Sequence, residues 1–225
     1  MQAHAEVNGR KVSYETTGEG EPVVVIGDPG RTADFGLLND WFQLLAPDWL
    51  GRVARRGAAA DRTAESAASA EPTRFTEEPT KFIASTEAAG PLGIVTAFIE
   101  HLGRSPVRVI GWGEGVQTAL RLAMERPDLV RQLAVIGPLP ACDGLPYRTR
   151  VATLATMTAP LLVLRGDDGA LDVAHSAALT RTVPDGRLAV LPGPSRLLPE
   201  ARSELVGLIL LDFFGSVGVP VARTA

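Results

Sequence analysis

The sequence predicts a single α/β domain, built as a mostly parallel central sheet with helices on both faces. Three observations lead there. Residues 23–26, Val-Val-Val-Ile, are continuously β-branched instead of alternating with polar residues, as expected of a strand buried on both faces. Short strand-type runs alternate with stretches of helical apolar spacing along the chain, which is the pattern of a parallel sheet covered by its crossover helices. Finally, 225 residues of which 45% are hydrophobic suit one sizeable core better than two, so residues 1–225 are read as one domain. No internal repeat is visible.

The elements follow in order. Residues 7–16 read as a strand, with Val12 and Tyr14 set between polar positions, and Gly18-Glu19-Gly20 as a turn. Residues 22–26 form the buried strand, which stops at the turn Gly27-Asp28-Pro29-Gly30. Residues 40–45 carry a helix-like apolar spacing, and 52–54 read as a short strand. Residues 58–79, dominated by Ala, Ser, Thr and Glu without periodicity, are expected to be a mobile excursion. A helix over 91–102 follows from Leu92, Val95, Ile99 and Leu102, with Gly103 as its stop. Residues 107–110 are a strand and 116–125 a helix that ends before Pro127. Strands at 133–136, 160–164 and 187–191, a helix at 174–182 and a last helix over about 199–214 complete the pattern.

Composition narrows the function classes. Acidic residues outnumber basic ones 26 to 22 and no Lys/Arg cluster exceeds Arg55-Arg56, so no nucleic-acid partner is expected. The lone Cys142 excludes an internal disulfide and a cysteine zinc cluster, and fits a reducing compartment. His4, His101 and His175 are too scattered to propose a metal site, and no cofactor is expected. The N-terminus lacks an apolar export core and no run approaches membrane-spanning length, so the expectation is a cytoplasmic protein with no membrane partner.

The strand at 107–110 runs directly into Gly111-Trp112-Gly113-Glu114-Gly115 and then into a helix. That unit resembles the nucleophile elbow, Gly-x-Ser-x-Gly, of the α/β-hydrolase superfamily, whose flanking glycines permit a strained turn where strand and helix backbones nearly touch. Other landmarks agree in order. Ile26-Gly27-Asp28-Pro29-Gly30 is similar to the family's oxyanion loop, and residues 125–131 to its helix-to-strand link. Residues 160–168 resemble the strand that delivers the catalytic acid, and 191–196 the loop that delivers the histidine. The resemblance covers nearly the whole chain and implies a single-domain α/β-hydrolase-like fold.

The same resemblance places no serine-hydrolase chemistry on these residues. The nucleophile position falls on Gly113, the acid on Gly169 or, one residue earlier, on Asp168, and the base on Arg196. Glycine has no attacking atom, and arginine stays protonated, so neither performs its step. Only about 20 residues, within 137–159, stand where the family inserts a helical cap, so the cap is expected to be shortened or deleted.

Glu114 follows the nucleophile position, where the family uses the backbone N–H as an oxyanion donor, and that N–H survives any side chain. With Asp168 it is a candidate acid or base; the plainer role for each is a solvated surface carboxylate. Gly27, Asp28, Trp112 and Glu114 are candidate ligand-binding residues, although Asp28 before Pro29 is also an ordinary turn residue and Trp112 also suits packing at the elbow. Arg31 is a further candidate for the cleft, and Asp167 with Asp168 forms a carboxylate pair at a strand end. Arg196 is expected to pair with Asp168 in place of the family's histidine–acid contact, or to bind an anion. His175 and Cys142 are expected to be inert.

Two functions remain, beside a purely structural role as a partner subunit. One is a catalytically degenerate hydrolase-fold protein that binds a small apolar or carbonyl-bearing ligand, or that acts through a protein partner or a second copy of itself. The other is an enzyme of cyclisation, elimination or other proton-transfer chemistry on a small carbonyl substrate, using the oxyanion donors with Glu114 or Asp168.

Overall fold

The computed structural model describes residues 1–28, 35–48, 90–137, 154–168 and 170–215. The expectations for 52–54, 58–79, Arg31, Cys142 and Gly169, and most of those for 137–159, lie outside the described residues.

Among the described residues eight strands form one sheet: β1 (Gln2–Val7), β2 (Arg10–Thr17), β3 (Glu21–Ile26), β4 (Phe42–Pro47), β5 (Val107–Trp112), β6 (Val130–Ile136), β7 (Leu161–Gly166) and β8 (Gly186–Leu191). Their order is β1-β2-β4-β3-β5-β6-β7-β8, and every pairing from β4 to β8 is parallel. The helices are α1 (Pro91–Leu102), α2 (Gly115–Glu125), α3 (Ala170–Thr180), α4 (Leu198–Ala201) and α5 (Ser203–Gly215).

The β3 run behaves as its composition requires. Val24 and Ile26 join one core with Val95, Phe98 and Ile99 of α1, Val116, Ala119 and Leu122 of α2 and Leu179 of α3. Val23 and Val25 face the opposite core, with Phe35, Leu38 and Val206, Leu210, Phe213 and Phe214 of α5. A strand with core on both sides has no polar face to alternate, which is why the run is continuous. In α1, Pro91 stands in the first turn and Gly103 closes the helix in the left-handed region, φ +62°, with its N–H bonded to the Glu100 carbonyl.

Three expectations are corrected. Residues 7–16 are not one strand. Asn8 and Gly9 take φ +51° and +72° and turn the chain back so that Val7 pairs with Arg10, a two-residue hairpin of the kind Asn-Gly favours. Residues 40–45 are not helical: a 3-10 turn at Gly36–Asp40 leads into β4. Leu44 and Leu45 are both buried because they face the two opposite cores, and adjacent apolar residues fit a strand with two covered faces as well as a helix. The last helix is broken at Arg202, φ −139°, into α4 and α5.

A buried polar cluster docks α5 at the edge remote from the elbow. Arg108 of β5 donates to Gln132 Oε1 (3.1 Å) and to the Phe214 carbonyl (3.3 Å), pairs with Glu21, and lies over the Phe42 ring at 4.9 Å. Gln132 donates to the Phe213 carbonyl at 2.8 Å. Carbonyls of the last helical turn, which lack intrahelical donors, thus receive donors from the sheet.

Arg108, hydrogen-bonded and charge-paired to Glu21, holds that carboxyl below its usual value of 4.5. A depressed folded value stabilises above the unfolded one and is lost as pH falls through it. Arg108→Met is expected to cost about 2–3 kcal/mol at neutral pH, most of it from the abandoned Phe214 carbonyl and Gln132. The gap in urea midpoint from the wild type is expected to narrow as pH falls below 4.5, the exposed Glu21 contributing only a small part.

Candidate functional site

β3 and β5 are neighbours whose chains depart in opposite directions, β3 towards β4 and β5 towards β6. A crevice at the carboxyl ends of such a pair is where open parallel sheets place ligand-facing groups. It is bounded here by Gly27 and Asp28 after β3, and by Gly113 and Glu114 after β5.

Close approach dictates the glycines of this turn. A Cβ on Gly111 would lie 2.6 Å from that of Ala119, and one on Gly115 would overlap the Ile26 carbonyl oxygen. Gly113 takes φ +58°, the left-handed region that side chains disfavour. Strand, turn and helix therefore meet as tightly as the elbow motif implies.

Asp28 occupies the space above this turn. Its Oδ1 accepts the Glu114 N–H at 2.6 Å, and a Cβ built on Gly113 would overlap the same carboxylate. Asp28 is only 7% exposed, and its Oδ2 lies 3.8 Å from Nη2 of the exposed Arg196. The structure thus brings together Gly27, Asp28, Gly113, Glu114 and Arg196. It corrects the expected partner of Arg196, which is Asp28 and not Asp168. Asp168 is instead taken by the Ser195 hydroxyl, next to Arg196 in the chain.

Two candidate ligand residues stand elsewhere than a cleft requires. Trp112 is fully buried in the core that holds α5, where Gly27 makes room for its ring: a Cβ there would lie 3.1 Å from Trp112 Cε3. The Glu114 side chain is exposed, so this residue contributes its main chain to the turn and its carboxylate to solvent.

Asp168 belongs to a second cluster, between the turns after β7 and β8. Ser195 Oγ donates to Asp168 Oδ1 at 2.6 Å and accepts the Gly166 N–H at 2.9 Å. Gly193 N–H donates to Asp167 Oδ1 at 2.9 Å. Beneath them the buried Arg165 donates to the Gly166 carbonyl (3.1 Å) and Ser176 Oγ (3.0 Å), with Nη2 3.9 Å from Asp168. The Ser195 hydroxyl first, then main-chain donors and the Arg165 cation, hold the Asp168 carboxyl below its usual range against the opposing effect of burial. Ser195 was not among the sequence candidates; its one signal is a small hydroxyl residue in the loop facing the acid turn. His4 shares a 3.1 Å hydrogen bond with Ser13 Oγ on the hairpin, His101 lies in the last turn of α1 and His175 lies on α3. Among the described residues no three His, Cys, Asp or Glu side chains gather as a metal site, and no helix is long and apolar enough to cross a membrane.

No family model matches the chain, and no curated protein matches it. Solved structures do. A predicted CIB-like hydrolase from Thermoplasma acidophilum superposes with a TM-score of 0.64 at 15% identity, over 95% of this chain and 97% of that one. A meta-cleavage product hydrolase from Pseudomonas fluorescens gives 0.65 at 14% identity, over 95% and 97%. The thioesterase domain from the curacin biosynthetic pathway gives 0.62 at 15% identity, over 93% and 98%. The chain has the α/β-hydrolase fold. In this α/β-hydrolase-fold protein the elbow carries glycine at its centre, and the carboxylates of Asp28 and Asp168 are each engaged by the chain's own donors.

Removing the Ser195 hydroxyl abandons both partners. Ser195→Ala is expected to cost about 1–3 kcal/mol through the orphaned Gly166 N–H, and to move the Asp168 titration upward, read by carboxyl carbon NMR. Because Asp168 is depressed in the folded state, its contribution is present above 3.8 and lost in acid. An unchanged Asp168 titration in the variant would contradict this assignment.

Proposed function

We propose that this chain is a non-hydrolytic α/β-hydrolase-fold protein, a degenerate member of the superfamily that serves as a binding or interaction module. The observation that carries the reading is the occupant of the elbow. Where a serine hydrolase needs an attacking side chain there is Gly113, and the space above it is filled by the Asp28 carboxylate. The triad works as a unit, so loss of the nucleophile alone removes the acyl-enzyme route. Arg196, at the expected base position, is a permanent cation. Residues 137–159 are too few for a full cap, which leaves the cleft for a small carbonyl-bearing or apolar ligand, a protein partner or a second copy of the chain. The lone Cys142 fits a cytoplasmic setting.

The geometry gives less support to the proton-transfer enzyme. Its oxyanion donor, the Glu114 N–H, is engaged by Asp28. Its acid or base candidates are a solvent-exposed Glu114 and an Asp168 held ionised by Ser195, too weak a base to abstract a proton efficiently near neutral pH.

A fluorophosphonate probe is expected to leave the wild type unlabelled, and p-nitrophenyl acetate to be cleaved no faster than in buffer. Gly113→Ser is expected to stay inactive and to lose about 1–3 kcal/mol, since a side chain there meets both the left-handed backbone and Asp28. Esterase turnover from that single change would overturn the reading.

A further inference from the structure

Far from the elbow, α5 is apolar on both its inner and its outer side. Val206, Leu210, Phe213 and Phe214 fill the core, yet Leu205 and Leu208 stand on the outer face, 41% and 51% exposed. A helix packed on a sheet at the surface carries polar residues outward; one that is apolar all round is covered on both sides. The apolar surface continues onto the turn before β4. A Cβ on Gly207 would overlap the Phe35 carbonyl oxygen and lie 3.3 Å from the Leu37 nitrogen, and the Phe42 ring meets that of Phe214 at 5.8 Å. Leu37 and Trp41, 44% and 69% exposed, therefore flank the same helix. A single exposed leucine is ordinary, whereas four large apolar side chains on one face mark an interaction surface.

Charge says what this surface fits. Arg202 and Asp212 bracket the two leucines, both are exposed, and neither side chain pairs with another described residue. We propose that α5 is the centre of a homodimer, packed antiparallel on α5 of a second copy across a twofold axis that passes between Leu205 and Leu208. That axis sets Leu205 against Leu208 of the second copy, and the reverse, as a self-complementary interface requires. Arg202 then stands level with Leu211 of the second copy, one residue or about 1.5 Å from the height of its Asp212, so each end of the seam brings a cation to a carboxylate. The pattern suits no other occupant as well. Glu204 and Asp212 on the face, with a net charge of -4, oppose an anionic lipid surface. The dimer goes beyond the reading of the elbow and does not depend on it.

The test is sedimentation equilibrium of the full chain over a range of concentrations. The wild type is expected to reach twice the chain mass, with a Kd on the order of micromolar or tighter. Leu208→Glu is expected to weaken association by about a hundredfold while far-ultraviolet circular dichroism stays unchanged. Arg202→Glu and Asp212→Arg, each alone, put like charges together at both ends and are expected to weaken it by about tenfold. Mixing these two variants is expected to restore association, because in the mixed dimer every cation again faces a carboxylate. The charge variants alter only exposed side chains, so they decide the question even where Leu208→Glu does not fold. A wild type that remains a single chain up to about 100 μM, well above the expected Kd, overturns the proposal. So does a dimer that Leu208→Glu leaves intact, or a mixture that associates no more tightly than its components. Co-sedimentation of a monomeric wild type with phosphatidylglycerol vesicles would overturn it too, and give the face to a lipid surface.

Discussion

The hydrogen bond from Glu114 N–H to Asp28 is the interaction on which the site depends, and it is available only because two neighbouring parallel strands end at the same level. β3 and β5 run in register, with Ile26 opposite Gly111, so the residues just past each strand meet. α2 then starts so close to β3 that Gly115 lies against the Ile26 carbonyl. The glycines of the turn follow from that proximity, 111 and 115 for contact and 113 for the left-handed backbone and the carboxylate above it, while Arg196 from the loop after β8 stands at the open side of Asp28. A buried carboxylate with one strong donor and one partly solvated cation is tolerable; without either it would be a liability.

The second cluster solves a similar problem with different residues. The turns after β7 and β8 approach until a Cβ on Gly166 would lie 2.6 Å from the Ser195 nitrogen, and the Ser195 hydroxyl bridges them to Asp168. Arg165 sits beneath as a buried cation supported by the Gly166 carbonyl and Ser176. Asp28 and Asp168 therefore have separate partners, and neither is poised as a free acid or base. That division, together with an exposed Glu114 side chain, is what the proposed binding role rests on.

Much of the fold was legible because it rests on local rules. The unbroken Val23–Ile26 run, the α1 spacing ended by Gly103 and the three spaced glycines of the elbow each have one physical explanation, and each is met. Failures came where two explanations share one pattern. Leu44 and Leu45 suit a helix or a doubly covered strand, and only pairing with β2 and β3 decides between them. The Asn8-Gly9 turn carried a local signal that the longer apolar alternation masked. In the site, the residue types and the elbow were readable, while partners were not: which carboxylate Arg196 meets, and that Ser195 holds Asp168, depend on where loops distant in sequence converge.

The central claim is that Asp28 and Gly113 compete for one volume. A double-mutant cycle on the stability of Gly113→Ala, Asp28→Gly and their combination tests it most directly, measured by urea unfolding at neutral pH. Steric relief in the double variant is expected to give a coupling of about 1–3 kcal/mol, the pair together costing less than the sum of the two alone. Additive losses, within about 0.3–0.5 kcal/mol, would contradict it and place the Asp28 carboxylate away from the elbow.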